Sequence, residues 1–204
     1  MRKLAMEELG RLSVKDFKKT EKTPVIIVLE DVRSALNVGS AFRTADAFAL
    51  QRVVLTGITA TPPHREILKT ALGSTDTVEW AHFDDIETAL QTLKTEKAAS
   101  LISFGGTEAN SLLSGGLGGD FTGGVKIFAV EQVERSISLE NIETNPNETY
   151  VLIFGNEVDG VSETAIKLAD GVIEVPQFGT KHSLNVAVTV GIVAWELTKK
   201  IRMQ

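Results

Sequence analysis

The chain contains no cysteine, and this absence removes several kinds of chemistry together. Without thiols the protein can form no disulfide, no thiolate zinc site and no cysteine nucleophile. Histidine is also scarce: His64, His82 and His182 are far apart and show none of the short spacings of a metal-binding helix. We therefore expect no metal site, so any enzymatic activity has to rely on other side chains.

Long apolar runs are also absent, because no stretch approaches the roughly 18 residues that a membrane span requires. Residues 4–12 are amphipathic and contain acids, unlike a secretory signal. With 204 residues, 43% hydrophobic and 24% charged, the composition suits one large globular domain. We expect a cytoplasmic protein that does not associate with membranes.

Basic residues are outnumbered, and the net charge is -6 at pH 7. This balance argues against nucleic acid, since phosphate-binding proteins usually carry a basic surplus. The distribution is uneven, however: residues 1–22 carry seven bases and four acids, whereas residues 76–97 carry six acids and two bases. Two interpretations stay open, namely two solvated faces of opposite sign or a local basic surface on an acidic protein.

Short β-branched runs alternate with helical patterns along the chain. The predicted strands cover 24–30, 52–57, 77–81, 100–104, 125–130, 150–155 and 171–176, and the predicted helices cover 37–48, 64–72, 84–95, 162–169 and about 184–201. The strand runs are continuously apolar, as in strands that are buried on both faces. The sequence predicts an α/β protein with a mostly parallel sheet flanked by helices, preceded by a short basic helical extension over 1–23.

Residues 105–124 contain eight glycines. They match neither the phosphate-binding loop nor the dinucleotide fingerprint, both of which need glycines at fixed spacings between a strand and a helix. We therefore interpret the run as a flexible loop.

The first candidate constellation is N-V-G-S-A-F-R-T-A at 37–45, directly after the first strand and its loop. Asn37 is a residue type suited to capping a helix. Arg43 follows almost two turns later among small and apolar neighbours. An arginine in such surroundings is either paired within the protein or directed at a ligand, and the helix alone leaves both readings open.

The second constellation is F-G-N-E-V-D-G-V-S at 154–162, where a strand ends. Gly155 allows a close backbone approach, and Ser162 suits the cap of the next helix with Glu163 in its first turn. Loops at the carboxyl ends of parallel strands often bind ligands. A plain strand–turn–helix connection would show the same pattern.

The third constellation is F-G-T-K-H-S-L-N-V-A-V at 178–188, which leads into the last helix. Ser183 is predicted to cap that helix, with Asn185 in its first turn. Free N–H groups at such a helix start attract anions. Because capping needs only Ser183, it leaves Lys181, His182 and Asn185 unexplained.

Taken in order, the motifs N-x-G-x-x-x-R-x-A, F-G-N-E-x-x-G and x-P-x-x-G-x-x-x-S-L-N-V resemble the SpoU/TrmH family of RNA 2'-O-methyltransferases, within the SPOUT superfamily. The resemblance covers roughly 24–200, and residues 127–132 are similar to the strand before the family's cofactor loop. Gln177 and the ending V-A-W-E at 193–196 look more like the branch that methylates the D-loop guanosine of tRNA, position 18 in tRNA numbering.

This resemblance implies a methyltransferase domain over 24–204, with a C-terminal trefoil knot at about 150–204. It further implies S-adenosylmethionine as cofactor and a homodimer that packs partly through the last helix. The substrate would be RNA, with tRNA favoured. The same reaction on ribosomal RNA and a non-catalytic RNA-binding α/β protein remain the alternatives.

Catalytic roles also follow from the resemblance. Arg43 would be the key catalytic residue, which holds the target phosphate and polarises the 2'-hydroxyl, because a guanidinium stays protonated in proteins. Asn37 would orient this site, and Glu157 would order the loops around it. Ser183 and Asn185 would form part of the catalytic pocket.

The cofactor would contact mainly backbone, around Glu131, Gln132, Gly155, Val175, Gln177 and Leu184. Lys181 and His182 are predicted RNA contacts, together with Arg43. Three features depart from the family: Ala49 stands where glycine is usual, Ala187 stands where serine is common, and 105–124 resembles an insertion. We expect Ala49 to alter helix packing rather than chemistry.

Overall fold

The computed structural model describes residues 1–95, 124–181 and 183–203. Within these ranges seven strands form one sheet, and all neighbouring strands run parallel. In chain order they are β1 (Thr23–Glu30), β2 (Leu50–Thr56), β3 (Glu79–Phe83), β4 (Val125–Val130), β5 (Ile137–Ser138), β6 (Thr149–Phe154) and β7 (Gly171–Glu174). Their order across the sheet is β3-β2-β1-β6-β4-β7-β5.

Helices cover both faces of this sheet. They are α1 (Val14–Lys19), α2 (Ala35–Ala47), α3 (Arg65–Ala71), α4 (Ile86–Thr95), α5 (Glu163–Leu168) and α6 (Val186–Arg202). The predicted α/β class with a parallel sheet flanked by helices is confirmed. Strand β5 was missed because two residues carry no periodic pattern. The predicted strand at 100–104 and nearly all of the glycine-rich run lie outside the described residues, and the knot stays a prediction.

Strand β1 shows why the apolar runs are uninterrupted, since all eight of its residues are buried. Successive side chains of a strand point to opposite faces. Val25, Ile27 and Leu29 therefore join an apolar cluster with α2 and α6, whereas Ile26 and Val28 join a second cluster with α4 and α5. The sheet thus separates two cores, and its central strands have no solvated face.

Two of the predicted helix caps are wrong. The cap of α2 is Ser34, whose side chain accepts a hydrogen bond from the backbone N–H of Asn37 at 3.3 Å. The cap of α6 is Asn185, whose side chain accepts from two backbone N–H groups of the first turn, and Ser183 lies before it. Ser162 caps α5 as predicted. Serine and asparagine cap about equally well, so residue type alone could not select between neighbouring candidates.

The basic N-terminal segment lies at the amino-terminal edge of the sheet. Arg202, at the end of α6, donates hydrogen bonds to the Thr23 hydroxyl at 2.6 Å and to the Glu21 carbonyl at 3.0 Å. The Lys22 ammonium lies 3.3 Å from the centroid of the Phe17 ring. Because β1 rises about 3.3 Å per residue, this segment is about 25 Å from the carboxyl edge of the sheet.

Helices α2 and α3 approach so closely that a side chain at position 39 would not fit. An ideal Cβ on Gly39 would lie 2.3 Å from the carbonyl oxygen of Ile67. The Thr70 hydroxyl of α3 donates to the carbonyl of Leu36 on α2 at 3.0 Å. This contact fixes the position of one helix relative to the other.

Ala49 links α2 to β2 in a left-handed backbone conformation, with φ of 48°. Its carbonyl accepts a hydrogen bond from the Thr23 N–H at 2.8 Å, which holds the turn against the start of β1. A Cβ is unfavourable in this region, whereas glycine adopts it without cost. In this structure the alanine that stands where the family usually has glycine therefore occupies a backbone conformation that glycine would adopt more easily.

We expect Ala49→Gly to stabilise the protein by about 0.5–1 kcal/mol, because relief of the left-handed strain outweighs the added chain entropy of the unfolded state. Urea unfolding at fixed protein concentration measures the change. The matched control is Ala47→Gly, which places glycine in the helix itself and should lower the midpoint. An Ala49→Gly midpoint equal to or below that of the parent would contradict this account.

Candidate active site

A cleft of about 580 Å³ opens at the carboxyl ends of β6, β4 and β7. These three strands are neighbours in the sheet, so the loops that follow them meet at one edge. Residues from four segments line the cleft: Val130, Glu131 and Gln132; Phe154 to Gly160; Val175 and Gln177; and Ser183 to Val186 with Thr189. In open parallel sheets this edge is where ligands usually bind.

The loop after β6 folds tightly back on itself. The Asn156 N–H and carbonyl exchange hydrogen bonds with Gly160, both at 3.2 Å. The side-chain oxygen of Asn156 accepts hydrogen bonds from the backbone N–H groups of Val158 at 2.9 Å and Asp159 at 2.8 Å. An ideal Cβ on Gly155 would lie 1.9 Å from the backbone of Gly160, so only glycine fits there. The side of Gly155 that would carry a Cβ therefore packs against Gly160 within the loop.

Two acids from the strands on either side of β6 hold this loop and the helix that follows it. Glu131, just after β4, accepts hydrogen bonds from the backbone N–H groups of Val161 at 3.0 Å and Gln132 at 2.8 Å. Glu30, at the end of β1, is buried and accepts from the backbone N–H of Ser162 at 2.9 Å and from its hydroxyl. Sequence reasoning missed Glu30, although an acid that closes an otherwise apolar strand was a signal that could have found it.

A chain of hydrogen bonds joins the three sequence motifs. The Asn185 amide donates to the Asn37 side-chain carbonyl at 3.2 Å, and the Asn37 amide donates to the Glu157 carboxylate at 2.9 Å. Glu157 also accepts from the backbone N–H groups of Arg33 and Ser34, at 3.2 and 3.3 Å. Residues that lie up to 148 positions apart in the chain are thereby held in one arrangement.

These contacts determine the ionisation of Glu157. Burial raises the pKa of this carboxyl, but hydrogen bonds from its own backbone N–H, from Asn37 and from the start of α2 outweigh burial and hold the pKa below its ordinary value. The group is therefore a carboxylate at neutral pH. A carboxylate is also favourable at this position because it lies beside the amino-terminal end of α2, which carries partial positive charge.

All six predicted cofactor residues line the cleft: Glu131, Gln132, Gly155, Val175, Gln177 and Leu184. Three of the predicted catalytic residues line it as well, namely Glu157, Ser183 and Asn185. Asn37 reaches the cleft through its two hydrogen bonds. Lys181 is exposed but does not line the cleft, and His182 lies outside the described residues.

Arg43 is not brought to this cleft. Arg43 lies six positions after Asn37 on α2. In a helix this spacing separates the two residues by about 9 Å along the axis and about 120° around it. It is exposed and lines a second, shallower hollow with residues of α3 and with Gly191 of α6. Within one protomer the predicted catalytic arginine and the predicted cofactor residues therefore face different spaces.

Two further properties concern the described part of the chain. Its His, Asp and Glu residues form no group of three or more that could hold a metal ion. No helix within it is long and apolar enough to cross a membrane.

Comparison with known proteins identifies the family. A sequence model of the SpoU rRNA Methylase family matches residues 24–114 and 120–195. The chain belongs to the SpoU family. This match spans all three motifs and confirms the family that they predicted. The assignment of individual roles to site residues stays a prediction.

Relatives of this SpoU family member are named for both kinds of RNA. An uncharacterized tRNA/rRNA methyltransferase of Synechocystis sp. is 27% identical over 95% of this chain and 42% of its own length. A 23S rRNA (guanosine-2'-O-)-methyltransferase of Vibrio parahaemolyticus is 21% identical over 95% of this chain and 66% of its own. A tRNA (guanosine(18)-2'-O)-methyltransferase of Borreliella burgdorferi is 25% identical over 86% of this chain and 66% of its own length. The chain thus spans between about two fifths and two thirds of these relatives.

Solved structures share the fold. The AdoMet-bound rRNA methyltransferase of Sinorhizobium meliloti aligns with a TM-score of 0.68 and 22% identity, over 90% of this chain and 59% of that one. The TrmH/SpoU tRNA modifying enzyme of A. aeolicus aligns with a TM-score of 0.69 and 20% identity, over 92% of this chain and 80% of that one. The parallel sheet and its flanking helices are therefore those of SpoU methyltransferases.

The lowered pKa of Glu157 predicts a pH-dependent contribution to stability. A carboxyl whose folded pKa lies below the unfolded value of about 4.3 stabilises the fold above that pH and loses its effect as the pH falls toward the folded value. Glu157→Gln should therefore lower the free energy of unfolding most near pH 7 and least below about pH 4.

Urea unfolding from pH 7 to pH 3.5 tests this prediction. The control is Glu134→Gln, an exposed acid for which no hydrogen bond is found within the described ranges, and its curve should stay parallel to that of the parent. If the Glu157→Gln deficit were the same at every pH, the hydrogen-bonded carboxylate would not be the source of this stability.

Proposed function

We propose that this SpoU family member transfers a methyl group from S-adenosylmethionine to a ribose 2'-hydroxyl of RNA. The observation that carries the proposal is the hydrogen-bond chain from Asn185 through Asn37 to Glu157, which joins the three motifs at the cleft. Relatives named as guanosine 2'-O-methyltransferases support the same reaction.

The cleft suits S-adenosylmethionine in size and chemistry. Its volume of about 580 Å³ falls within the roughly 300–1,000 Å³ of small-molecule sites. Val175 and Leu184 would supply an apolar wall for the adenine, and the backbone groups of Gly155 and Gln177, which line the same cleft, would form hydrogen bonds with the cofactor. When bound, the cofactor supplies an electrophilic methyl group on its sulfonium.

The protein's own residues have to activate and position the ribose. A 2'-hydroxyl is a weak nucleophile, so catalysis requires alignment with the methyl group and removal of the hydroxyl proton. The guanidinium of an arginine such as Arg43 is a poor base. In our proposal it holds the target phosphate and polarises the hydroxyl, and a phosphate oxygen takes the proton. Asn37 and Glu157 keep the loops of the cleft in place.

We propose tRNA as the substrate, with the D-loop guanosine as its target and the cytoplasm as its location. Gln177 and the segment 193–196 support this choice through their resemblance to the tRNA branch. Ribosomal RNA is the second candidate, supported by the relative named for 23S rRNA, which this chain matches over 95% of its length. Lys181 and His182 are further proposed RNA contacts.

We also propose that the protein acts as a homodimer through α6. Val188, Ile192 and Trp195 are exposed and recur at helical spacing, so they form an apolar stripe on one face of this helix. The ring of Trp195 packs against Phe48 of α2 with centroids 5.8 Å apart, which extends the stripe toward α2. Burial of such a stripe against a second copy would remove it from water.

A homodimer would also resolve the separation between Arg43 and the cofactor cleft. The hollow that contains Arg43 includes Gly191, which lies on α6 between Val188 and Ile192. A second copy that packs along α6 would bring its own cleft close to this arginine. Each active site would then combine Arg43 of one protomer with the cleft of its partner.

Arg43→Ala is expected to reduce methyl transfer by a factor on the order of 10² or more, because the phosphate and the hydroxyl lose their positioning group. S-adenosylmethionine binding, measured by isothermal titration, and the unfolding midpoint should stay unchanged, since Arg43 does not line the cleft. Transfer of labelled methyl to tRNA and to 23S rRNA transcripts identifies the substrate in the same assay. Full activity in the variant would exclude the role proposed for Arg43.

Mixing two inactive variants tests the shared site. After unfolding and joint refolding of Arg43→Ala with Asn185→Ala, about half of the dimers should be mixed, and each of these should contain one intact site. Activity should then recover to about a quarter of that of the parent protein. If both variants stay inactive on mixing while mixed dimers form, each protomer has to supply its own complete site.

A further inference from the structure

Two cations from different helices line the second hollow, which has a volume of about 500 Å³. Arg43 projects from α2, and Lys69 projects from α3. Lys69 belongs to none of the three sequence motifs. Thr44 adds a hydroxyl to the same hollow, and no acid is among the residues described as lining it.

Asp46 and Glu66 lie three positions from Arg43 and Lys69 on α2 and α3, but they form no ion pair with these cations in the part of the chain that the structure describes. Ion pairs there involve other residues, and neither Arg43 nor Lys69 has a carboxylate partner among them. Both side chains belong to exposed residues. Two cations that lack an ion-pair partner, in a hollow whose described lining contains no acid, favour an anion there even on a chain with a net charge of -6.

The packing of α2 against α3 fixes the two helix backbones from which Arg43 and Lys69 project. Arg43 follows Gly39 by one helical turn, so it lies on the face of α2 that approaches α3. The hydroxyls of Ser40 and Thr70 both donate to the carbonyl of Leu36, at 2.9 and 3.0 Å, which joins the helices next to the hollow. The backbone positions of the two cations are therefore fixed relative to each other, and their side chains become ordered when an anion binds.

We propose that Lys69 acts with Arg43 to bind a phosphate of the RNA next to the nucleotide that is methylated. A phosphodiester fits this pair because an arginine can bind two of its oxygens at once, while a lysine contributes a point charge. Lys69 is thus a positioning residue, which holds the phosphate so that the guanidinium of Arg43 can also reach the hydroxyl. This inference rests on the function proposed above.

Lys69→Ala tests the inference through the salt dependence of RNA binding. Fluorescence anisotropy with a labelled tRNA transcript gives the dissociation constant over a range of KCl concentrations. We expect the dissociation constant to be about five to ten times larger, which means weaker binding, at roughly 0.1 M salt. In a plot of the logarithm of the association constant against the logarithm of the salt concentration, the slope is negative. Its magnitude should decrease by about 0.7–1, as expected for the loss of one phosphate contact.

Two control variants separate this role from a structural one. Lys69→Arg keeps the charge and should retain the slope of the parent protein. Lys126→Ala removes an equally exposed lysine near the start of β4, at the edge of the sheet opposite the cleft, and should leave the slope unchanged. S-adenosylmethionine binding should be the same in all three variants.

The possible outcomes distinguish this inference from the proposed function. If the parent protein binds and methylates RNA while Lys69→Ala behaves like Lys126→Ala, the phosphate site is overturned and the proposed function stands. If the parent protein binds no RNA at all, the proposed function fails and the inference fails with it. A reduced slope in Lys69→Ala, with recovery in Lys69→Arg, supports the site.

Discussion

The carboxylate of Glu157 is the group on which the arrangement of the cleft depends. It belongs to the loop after β6, yet it accepts hydrogen bonds from two backbone N–H groups just before α2 and from the amide of Asn37. The start of a helix leaves N–H groups without partners and carries partial positive charge, so an anion is favourable there. Because Asn37 in turn accepts from Asn185, this one acid indirectly positions the cap of α6.

Two other acids near the cleft also hold backbone segments in place by accepting hydrogen bonds from their N–H groups. Glu30 and Glu131 each accept backbone N–H groups of the segment that follows the tight loop, at Ser162 and Val161. These hydrogen bonds satisfy backbone donors that a loop cannot pair within itself. Gly155 permits the close approach that brings the loop within reach of them. The acids near the site thus act as structural acceptors that hold the loop and the start of α5 in place.

Charge and shape divide the surface of one protomer into two regions. The cleft combines apolar side chains with polar ones such as Glu157 and Asn185, which suits a small cofactor, whereas the hollow of Arg43 and Lys69 combines two cations with no acid in its described lining. The apolar stripe of α6 borders the second region through Gly191. In the homodimer that we propose, a second copy packed on this stripe would bring the two regions together.

The sequence alone determined the features that depend on local pattern. Continuous apolar runs predicted a parallel sheet buried on both faces, and three ordered motifs predicted the family and the residues that line the cleft. Residue type could not decide that Asn185 rather than Ser183 caps α6, because both side chains accept the same hydrogen bonds. Tertiary structure alone placed Arg43 away from the cleft and beside Lys69, since that depends on how α2 turns and packs against α3, a contact between distant residues that no local pattern encodes.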